Sequence, residues 1–368
     1  MASGCGRHWE TPGVAMKTID VGGRTIGADQ PCFIIAEAGV NHNGDMALAF
    51  RLIDEARAAG ADAVKFQSFI TEDLITADAQ KADYQARSTG SGGSQYAMLK
   101  SLELDFAQHR RLKEYCERSG IVYLCTPYEY RSVDMLAEMG VAAYKVASTD
   151  TSNIPFLRYL GGKGLPVLLS TGMSTLGEVE QAVAAVRSGN PAVALTLLHC
   201  TSEYPAPLED LNLRAIATLQ RAFAVPVGFS DHSVGILPST WAAALGACIL
   251  EKHFTLDRSM TGPDHRASIE SGELAELVRS VRALECALGD GVKRIAPSEA
   301  KNKPVMQKRL VATRDIAAGE RFGADLICPK RSAAGLLPRM WDEVIGRAAA
   351  RAVAAGEPLR YGDVHWGD

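Results

Sequence analysis

The strongest constraint in this sequence is an alternation. Eight short β-forming runs are separated by stretches whose apolar residues recur at helical spacing. The runs are Cys32–Ala38, Ala63–Gln67, Ile121–Thr126, Ala143–Ser148, Pro166–Thr171, Leu195–Cys200, Val225–Ser230 and Cys248–Phe254. Most are apolar on both faces, the pattern of parallel strands covered by helices. In the first intervening stretch Ala49, Leu52, Ile53 and Ala56 form one stripe, with Arg51, Asp54, Glu55 and Arg57 facing away. Asp45 is suited to start that helix and Gly60 to stop it. The last helix buries Leu274, Leu277, Val278, Val281, Leu284 and Leu288 and ends at Gly289. Eight consecutive βα units point to an α/β fold, a (β/α)8 TIM barrel. A doubly wound open sheet is the competing architecture, but no Gly-x-Gly-x-x-Gly follows the first run. The second βα connection, Ser68 to about Lys100, is unusually long and carries a Gly/Ser cluster at Ser88–Ser94. A loop of that length in a compact domain reads as a lid or binding loop.

The pattern changes after Gly289. Residues 290–304 are polar, contain Pro297 and Pro304, and read as a linker. Residues 305–368 show short β runs at Arg309–Ala312 and Leu326–Pro329, turns at Ala318-Gly-Glu320 and Ala355-Gly-Glu357, and a short helix beginning at Pro338. The expected organisation is a flexible extension (1–17), a barrel (18–289), the linker (290–304) and a small β-rich domain (305–368). Met16 could serve as a natural start, and the first 17 residues lack a secretory or transit pattern. A net charge of −4 makes no electrostatic case for nucleic acid or an anionic membrane. No apolar run reaches the ~18–20 residues of a membrane span. The eight cysteines are scattered, and Cys32, Cys125, Cys200 and Cys248 lie inside strand-like runs, which points to a reducing cytoplasm.

The polar residues at the ends of the runs form a constellation. The first run carries Glu37 and leads into Asn41-His-Asn-Gly44; the second gives Lys65 and Gln67; the fourth gives Lys145, Ser148 and Asp150. Then come Ser170 and Thr171, His199, Thr201, Ser202 and Tyr204, Ser230, Asp231 and His232, and Glu251, Lys252 and His253 with Asp264 beyond. Charges inside apolar strands are costly unless paired or used. These gather where barrels place their active sites, at the C-terminal strand ends. Two lysines and several hydroxyls suit a phosphate ester that also carries a carboxylate. His232 and His253, ending neighbouring parallel strands, suit a divalent metal that polarises a carbonyl. Glu37 and Asp264 could orient water or shuttle protons.

Each residue also has a plainer reading. Lys65 could pair with a carboxylate of a neighbouring strand inside the barrel. Glu251 and Lys252, taken singly, read as helix-facing partners, since adjacent strand residues point to opposite faces. His199 reads equally as core or site, and His42 and His265 sit in loops.

At these residues the sequence resembles the phosphoenolpyruvate-dependent sialic acid (N-acetylneuraminate) synthases of bacteria. The resemblance runs from about residue 17 and covers nearly the whole chain. It is carried by Ile35-Ala-Glu-Ala-Gly-Val-Asn-His-Asn-Gly44, Val64-Lys-Phe-Gln67, Tyr144-Lys-Val-Ala-Ser148, Leu169-Ser-Thr-Gly-Met173, Leu198-His-Cys-Thr-Ser-Glu-Tyr-Pro205, Gly228-Phe-Ser-Asp-His232, Leu250-Glu-Lys-His-Phe254 and Gly262-Pro-Asp264. The tail resembles the antifreeze-like (SAF) domain of that family, with Pro329-Lys-Arg331 placed like a substrate-reaching arginine.

The resemblance implies condensation of phosphoenolpyruvate with an N-acyl hexosamine, N-acetylmannosamine in the type case, to a nine-carbon 2-keto acid and phosphate. Carried over, His232 and His253 would bind Mn2+, or alternatively Mg2+ or Co2+, and no organic cofactor is implied. Lys65, Gln67, Lys145, Ser148, Asp150, Ser170, Ser202, Tyr204 and Ser230 would line the substrate sites. Glu37 and Asp264 would be catalytic. Arg331 would reach the sugar across a domain-swapped homodimer.

Two positions depart from the family pattern. Asp150 stands where Ser-Gly-Glu is common, and Ser202 replaces the asparagine of Cys-Thr-Asn. The long second connection is similar to the branch that includes legionaminic acid synthases, which use a 2,4-diacetamido-6-deoxy sugar. N-acetylneuraminate synthesis is therefore the first expectation and legionaminic acid synthesis the alternative. A barrel metallohydrolase would show a His-x-His pair on the first strand, where Glu37 is followed by Ala-Gly. A non-catalytic carbohydrate-binding protein is the third reading.

Overall fold

A computed structural model describes residues 18–81, 86 and 94–367. The expected N-terminal extension and most of the Gly/Ser-rich part of the long connection lie outside the described residues. The chain divides into two compact units, Met1–Gly291 and Val292–Asp368.

In the first unit eight parallel strands close into a barrel. They are β3 (Phe33–Gly39), β4 (Ala63–Ser68), β5 (Val122–Pro127), β6 (Tyr144–Val146), β7 (Val167–Ser170), β8 (Leu195–Cys200), β9 (Val227–Asp231) and β10 (Ile249–His253). They pair in chain order, and β10 returns to β3. Each of the eight expected runs is one of these strands. Asp45 caps the first helix, Met46–Ala58, by accepting from the Ala47 amide at 2.7 Å. Gly60 beyond it adopts φ +85°, the left-handed backbone that ends a helix.

The strand period of two sorts the residues between two cores. Ile34, Ala36, Val64, Phe66, Leu169 and Leu197 belong to the cluster shared with the surrounding helices. Phe33, Ile35, Ala63, Leu124, Leu168, Leu198 and Ile249 form a second cluster inside the barrel. That inner cluster includes Ile19, Val21 and Ile26 of a hairpin absent from the sequence expectations, β1 (Ile19–Val21) and β2 (Arg24–Ile26). Two three-residue strands are too short for periodicity to register. The hairpin closes the N-terminal end of the barrel, so the opposite end is the open mouth.

The second unit contains an antiparallel pair, β11 (Lys308–Ala312) and β12 (Ile327–Arg331). Its core includes Leu310, Phe322, Ile327, Val344, Val353 and Leu359. The two anticipated turns place Gly319 and Gly356 at φ +83°. The helical segment at Pro338 is a 3-10 turn (Pro338–Met340) running into Trp341–Val344. Two helical turns, Pro297–Ala300 and Lys303–Met306, occupy the stretch read as linker. Among the described residues, no helix is long and apolar enough to cross a membrane.

His109 is fully buried in the outer core, with Nδ1 2.8 Å from the Tyr123 hydroxyl. Burial, followed by the nearby His42, pushes the imidazole down to about 3. The folded chain therefore holds it neutral, while the unfolded chain protonates it below ~6.5. Its contribution to stability is complete above ~6.5 and declines as pH falls toward about 3. His109→Gln is expected to flatten the fall in Tm between pH 7 and pH 4, as read by thermal melts; an unchanged slope would refute this assignment.

Candidate active site

Above the apolar inner layers, one ring of the barrel is charged. Register sets Glu37 of β3 between His253 of β10 and Lys65 of β4. Lys65 Nζ lies 3.0 Å from Glu37 Oε2 and 3.6 Å from Glu251 Oε2, and it donates to Thr126 Oγ1 at 2.9 Å. Lys145 Nζ is 3.4 Å from Glu251 Oε1, which also accepts from Ser230 at 2.8 Å. Gln67 Nε2 donates to Glu37 Oε1 at 3.2 Å. The four charged side chains are at most 4% exposed. The plainer reading of Lys65, a pairing inside the barrel, is thus realised, at the floor of the mouth.

Burial dominates the electrostatics here, and the partners decide the sign. It pushes the Glu37 carboxyl up despite Lys65. Burial opposes ionisation of Glu251 too, but Lys145 and Lys65 outweigh it and hold that carboxyl low. Lys65 stays charged because Glu251 and Glu37 overcome its burial. Lys145, also buried, is shifted down. Asp264 is pushed up to about 6 by burial. Two carboxyls of the mouth, Glu37 and Asp264, thus readily take a proton near neutrality, whereas Glu251 does not.

His232 and His253 stand beside this ring, His253 in register with Glu37, with ring centroids 5.5 Å apart. His232 Nδ1 lies 2.7 Å from the Thr201 carbonyl, which fixes the proton there and leaves the Nε2 lone pair, 3.4 Å from Ser230 Oγ, as the ligating position. His253 Nδ1 lies 3.9 Å from Asp264 Oδ2. Burial is the first cause that pushes both imidazoles down, His232 to about 4, so both are neutral and able to ligate. The Tyr204 ring lies 4.2 Å from that of His232, centroid to centroid, tilted by 34°. This donor set fits a divalent cation held by two imidazoles, with its other positions left to water and substrate. Among the described residues, no group of three or more His, Cys, Asp and Glu side chains could hold a metal.

The opposite wall is hydroxyl-rich. Gly172 donates its amide to Ser148 Oγ at 2.9 Å, and Ser148 Oγ lies 3.1 Å from Cys200 Sγ. Ser170 Oγ is buried and, among the described residues, has no hydrogen-bond partner. Ser148, Ser170, Ser202, Tyr204 and Ser230 line one cavity of about 630 Å³ with Glu37, Lys65, Gln67, Lys145, His232, His253 and Asp264. Twelve of the fourteen residues singled out from sequence therefore share a cavity.

Two do not. The Asp150 carboxylate is buried away from the cavity and accepts from Asn153 Nδ2 at 2.9 Å, because the 3-10 turn Ser148–Asp150 presents Thr149 to the mouth instead. Arg331 is exposed at the end of β12 in the second unit. The histidines read ambiguously are packed elsewhere: His199 Nε2 lies 2.7 Å from the Leu211 carbonyl, and His265 pairs with Thr255 and Asn43.

Sequence reasoning missed the inward role of Glu251. Its parity with His253, two residues on, was the available signal. Also missed was the apolar rim of Val40, Phe69, Leu74, Ile75 and Leu99. Most of it comes from the long second connection, where Thr71–Leu74 and Gln95–Leu102 are helical.

A closed parallel barrel with lysines, carboxyls and neutral imidazoles at its mouth defines a class. It is a (β/α)8 barrel whose mouth has the charges to hold a small anion beside a site fit for a divalent cation. Residues 52–293 match the model of the NeuB family and residues 309–365 that of the SAF domain. The chain is 44% identical to the N,N'-diacetyllegionaminic acid synthase of Campylobacter jejuni over 89% of its own length and 98% of the relative. It is 41% identical to the human N-acetylneuraminate-9-phosphate synthase over 84% of its own length and 85% of that protein. The crystal structure of a sialic acid synthetase from Leptospira borgpetersenii in complex with citrate superposes with a TM-score of 0.69 at 38% identity, covering 78% of this chain and 95% of that one. The chain belongs to the NeuB family, as a phosphoenolpyruvate-dependent nonulosonic acid synthase with a C-terminal SAF domain.

Gly172 has no room for a side chain. A Cβ there would overlap Ser202 Oγ and come within 2.8 Å of Ser148 Oγ. Gly172→Ala is expected to raise the KM for phosphoenolpyruvate about tenfold or more through displacement of Ser148, and to raise that for the acceptor sugar through displacement of Ser202. Steady-state kinetics with an unchanged KM for phosphoenolpyruvate would show that this wall does not touch that substrate.

Proposed function

We propose that the chain condenses phosphoenolpyruvate with 2,4-diacetamido-2,4,6-trideoxymannose and water, giving N,N'-diacetyllegionaminic acid and inorganic phosphate. The observation that carries this choice over N-acetylmannosamine is the apolar rim formed by Val40, Phe69, Leu74, Ile75 and Leu99 above the charged floor. A 6-deoxy sugar with a second acetamido group has two methyls to set against such a wall, whereas N-acetylmannosamine would place hydroxyls there. The similarity to legionaminic acid synthases of Campylobacter jejuni and, at 40% identity, Legionella pneumophila supports the same acceptor. This reverses the order of the two readings drawn from sequence.

In the proposed reaction C3 of the enol attacks the open-chain aldehyde carbon, forming the new C–C bond. Water adds at C2, the bond from C2 to the phosphate oxygen breaks as the C2 carbonyl forms, and of the two water protons one goes to the aldehyde oxygen and the other leaves with the phosphate. Lys65 and Lys145, with Ser148, Ser170, Tyr204 and Ser230, hold the phosphate and carboxylate. The Ser170 hydroxyl, without a partner among the described residues, is suited to donate to such an anion. Gln67 keeps Glu37 oriented. Glu37 and Asp264, both shifted toward neutrality by burial, hold and release the protons that water and the aldehyde oxygen exchange. His232 and His253 would hold Mn2+, or Mg2+ or Co2+ in its place. When bound, such a cation supplies Lewis-acid polarisation of the acceptor carbonyl. Ser202 lines the acceptor side, and Arg331 of a second copy would complete it in a domain-swapped homodimer.

Phosphate release with Mn2+ should favour the diacetamido sugar over N-acetylmannosamine by roughly tenfold or more in kcat/KM. The opposite preference would return the chain to sialic acid synthesis. For the dimer, mixing a Glu37→Gln chain with an Arg331→Ala chain should restore part of the activity that each lacks alone; inactive, verified mixed dimers would exclude action in trans.

A further inference from the structure

Directly behind the two histidines lies a second charged cluster that the chemistry above does not use. Parallel pairing sets Asp231 of β9 beside Lys252 of β10. Each precedes a histidine in the chain, so each points out of the barrel where its neighbour points in. Lys252 Nζ lies 3.0 Å from Asp231 Oδ2, and the two side chains are 1% and 0% exposed. The Asp231 carboxylate is saturated. Its Oδ1 accepts from the Ser233 amide at 2.8 Å and the Ser233 hydroxyl at 2.6 Å, and its Oδ2 accepts from Ser239 at 2.6 Å. Lys252 Nζ also donates to the Ser233 carbonyl.

These bonds tie β9 to β10, fold residue 233 back onto β9, and fasten helix Leu237–Ala244 through Ser239. His232 is thereby held between two residues bound to the same lysine, and His253 is the next residue after that lysine. Outward positions on other strands carry Ile34, Phe66, Leu169 and Leu197, which pack against helices without any charge. A buried ion pair adds little net stability compared with apolar side chains of similar volume, so stability alone does not account for charges here. Geometry does. We propose that Asp231 and Lys252, with Ser233 and Ser239, are positioning residues that set the separation and orientation of His232 and His253 for a divalent cation. The inference rests on the reading of those histidines as metal ligands.

The test uses the full-length chain stripped of metal, with Mn2+ binding followed by electron paramagnetic resonance and folding by circular dichroism. Two variants are compared with wild type: Asp231→Asn, which keeps the shape, and Asp231→Leu combined with Lys252→Met, which leaves no unpaired charge. Each folded variant is expected to bind Mn2+ about 10–100-fold more weakly, as outer-shell partners of metal-binding histidines generally show. The Mn2+ concentration for half-maximal phosphate release should rise by the same factor, with a smaller change in rate at saturating metal. A Kd within twofold of wild type in either folded variant overturns the proposal. The ligand assignment is tested separately, by Mn2+ binding to wild type and its loss in His232→Ala. If wild type binds, His232→Ala does not, and the Asp231 variants bind normally, the positioning role alone fails. If His232→Ala binds as wild type does, both fail.

Discussion

Two lysines and two carboxylates share one buried ring inside the barrel, and none could be buried there singly. An isolated ammonium or carboxylate in that setting would lose its hydration with nothing to replace it. Lys65 between Glu37 and Glu251, and Lys145 beside Glu251, offset most of that loss. The ring exists only because the barrel closes, with β10 returning to β3 so that Glu251, level with Ile35, comes within reach of the same lysine as Glu37. An open sheet would leave these two strands at opposite edges. The apolar layers and the hairpin beneath keep water from reaching the ring from below, so the charges are accessible from the mouth alone.

The same strands serve two purposes through the alternation of their side chains. On β9 and β10, Ser230, His232, Glu251 and His253 face the cavity, while Asp231 and Lys252 face the helices. Chemistry and scaffold are thus one residue apart in sequence and on opposite sides of a sheet in space. Burial shifts Glu37 and Asp264 toward neutral pH while the two lysines keep Glu251 ionised. A ring with one carboxylate held ionised and neighbouring carboxyls shifted toward neutrality suits a reaction in which a phosphorylated enol gives up phosphate and an aldehyde becomes an alcohol.

The mouth combines that floor with a wall of different character. Strand ends supply the hydroxyls and imidazoles, whereas most of the apolar rim comes from the connection after β4. Connections of this kind vary while the barrel they rest on does not. Family members acting on different sugars can therefore keep one charged floor.

The amino-acid sequence by itself determined the eight strands, the direction in which they run and the end at which the chemistry gathers. Apolar runs of strand length alternating with helical stripes have few other solutions, and polar residues at run ends stand out against them. Twelve of the fourteen residues chosen that way line one cavity. Tertiary structure alone decided which face each neighbour takes. Glu251, read as helix-facing, points inward because its strand registers with Ser230 and Ile35. Asp150 turns to Asn153 because a 3-10 turn follows β6, and the hairpin of β1 and β2 is too short to carry a period. A strand's pattern fixes which residues share a face. Only pairing with its neighbours in a closed barrel fixes which face looks inward.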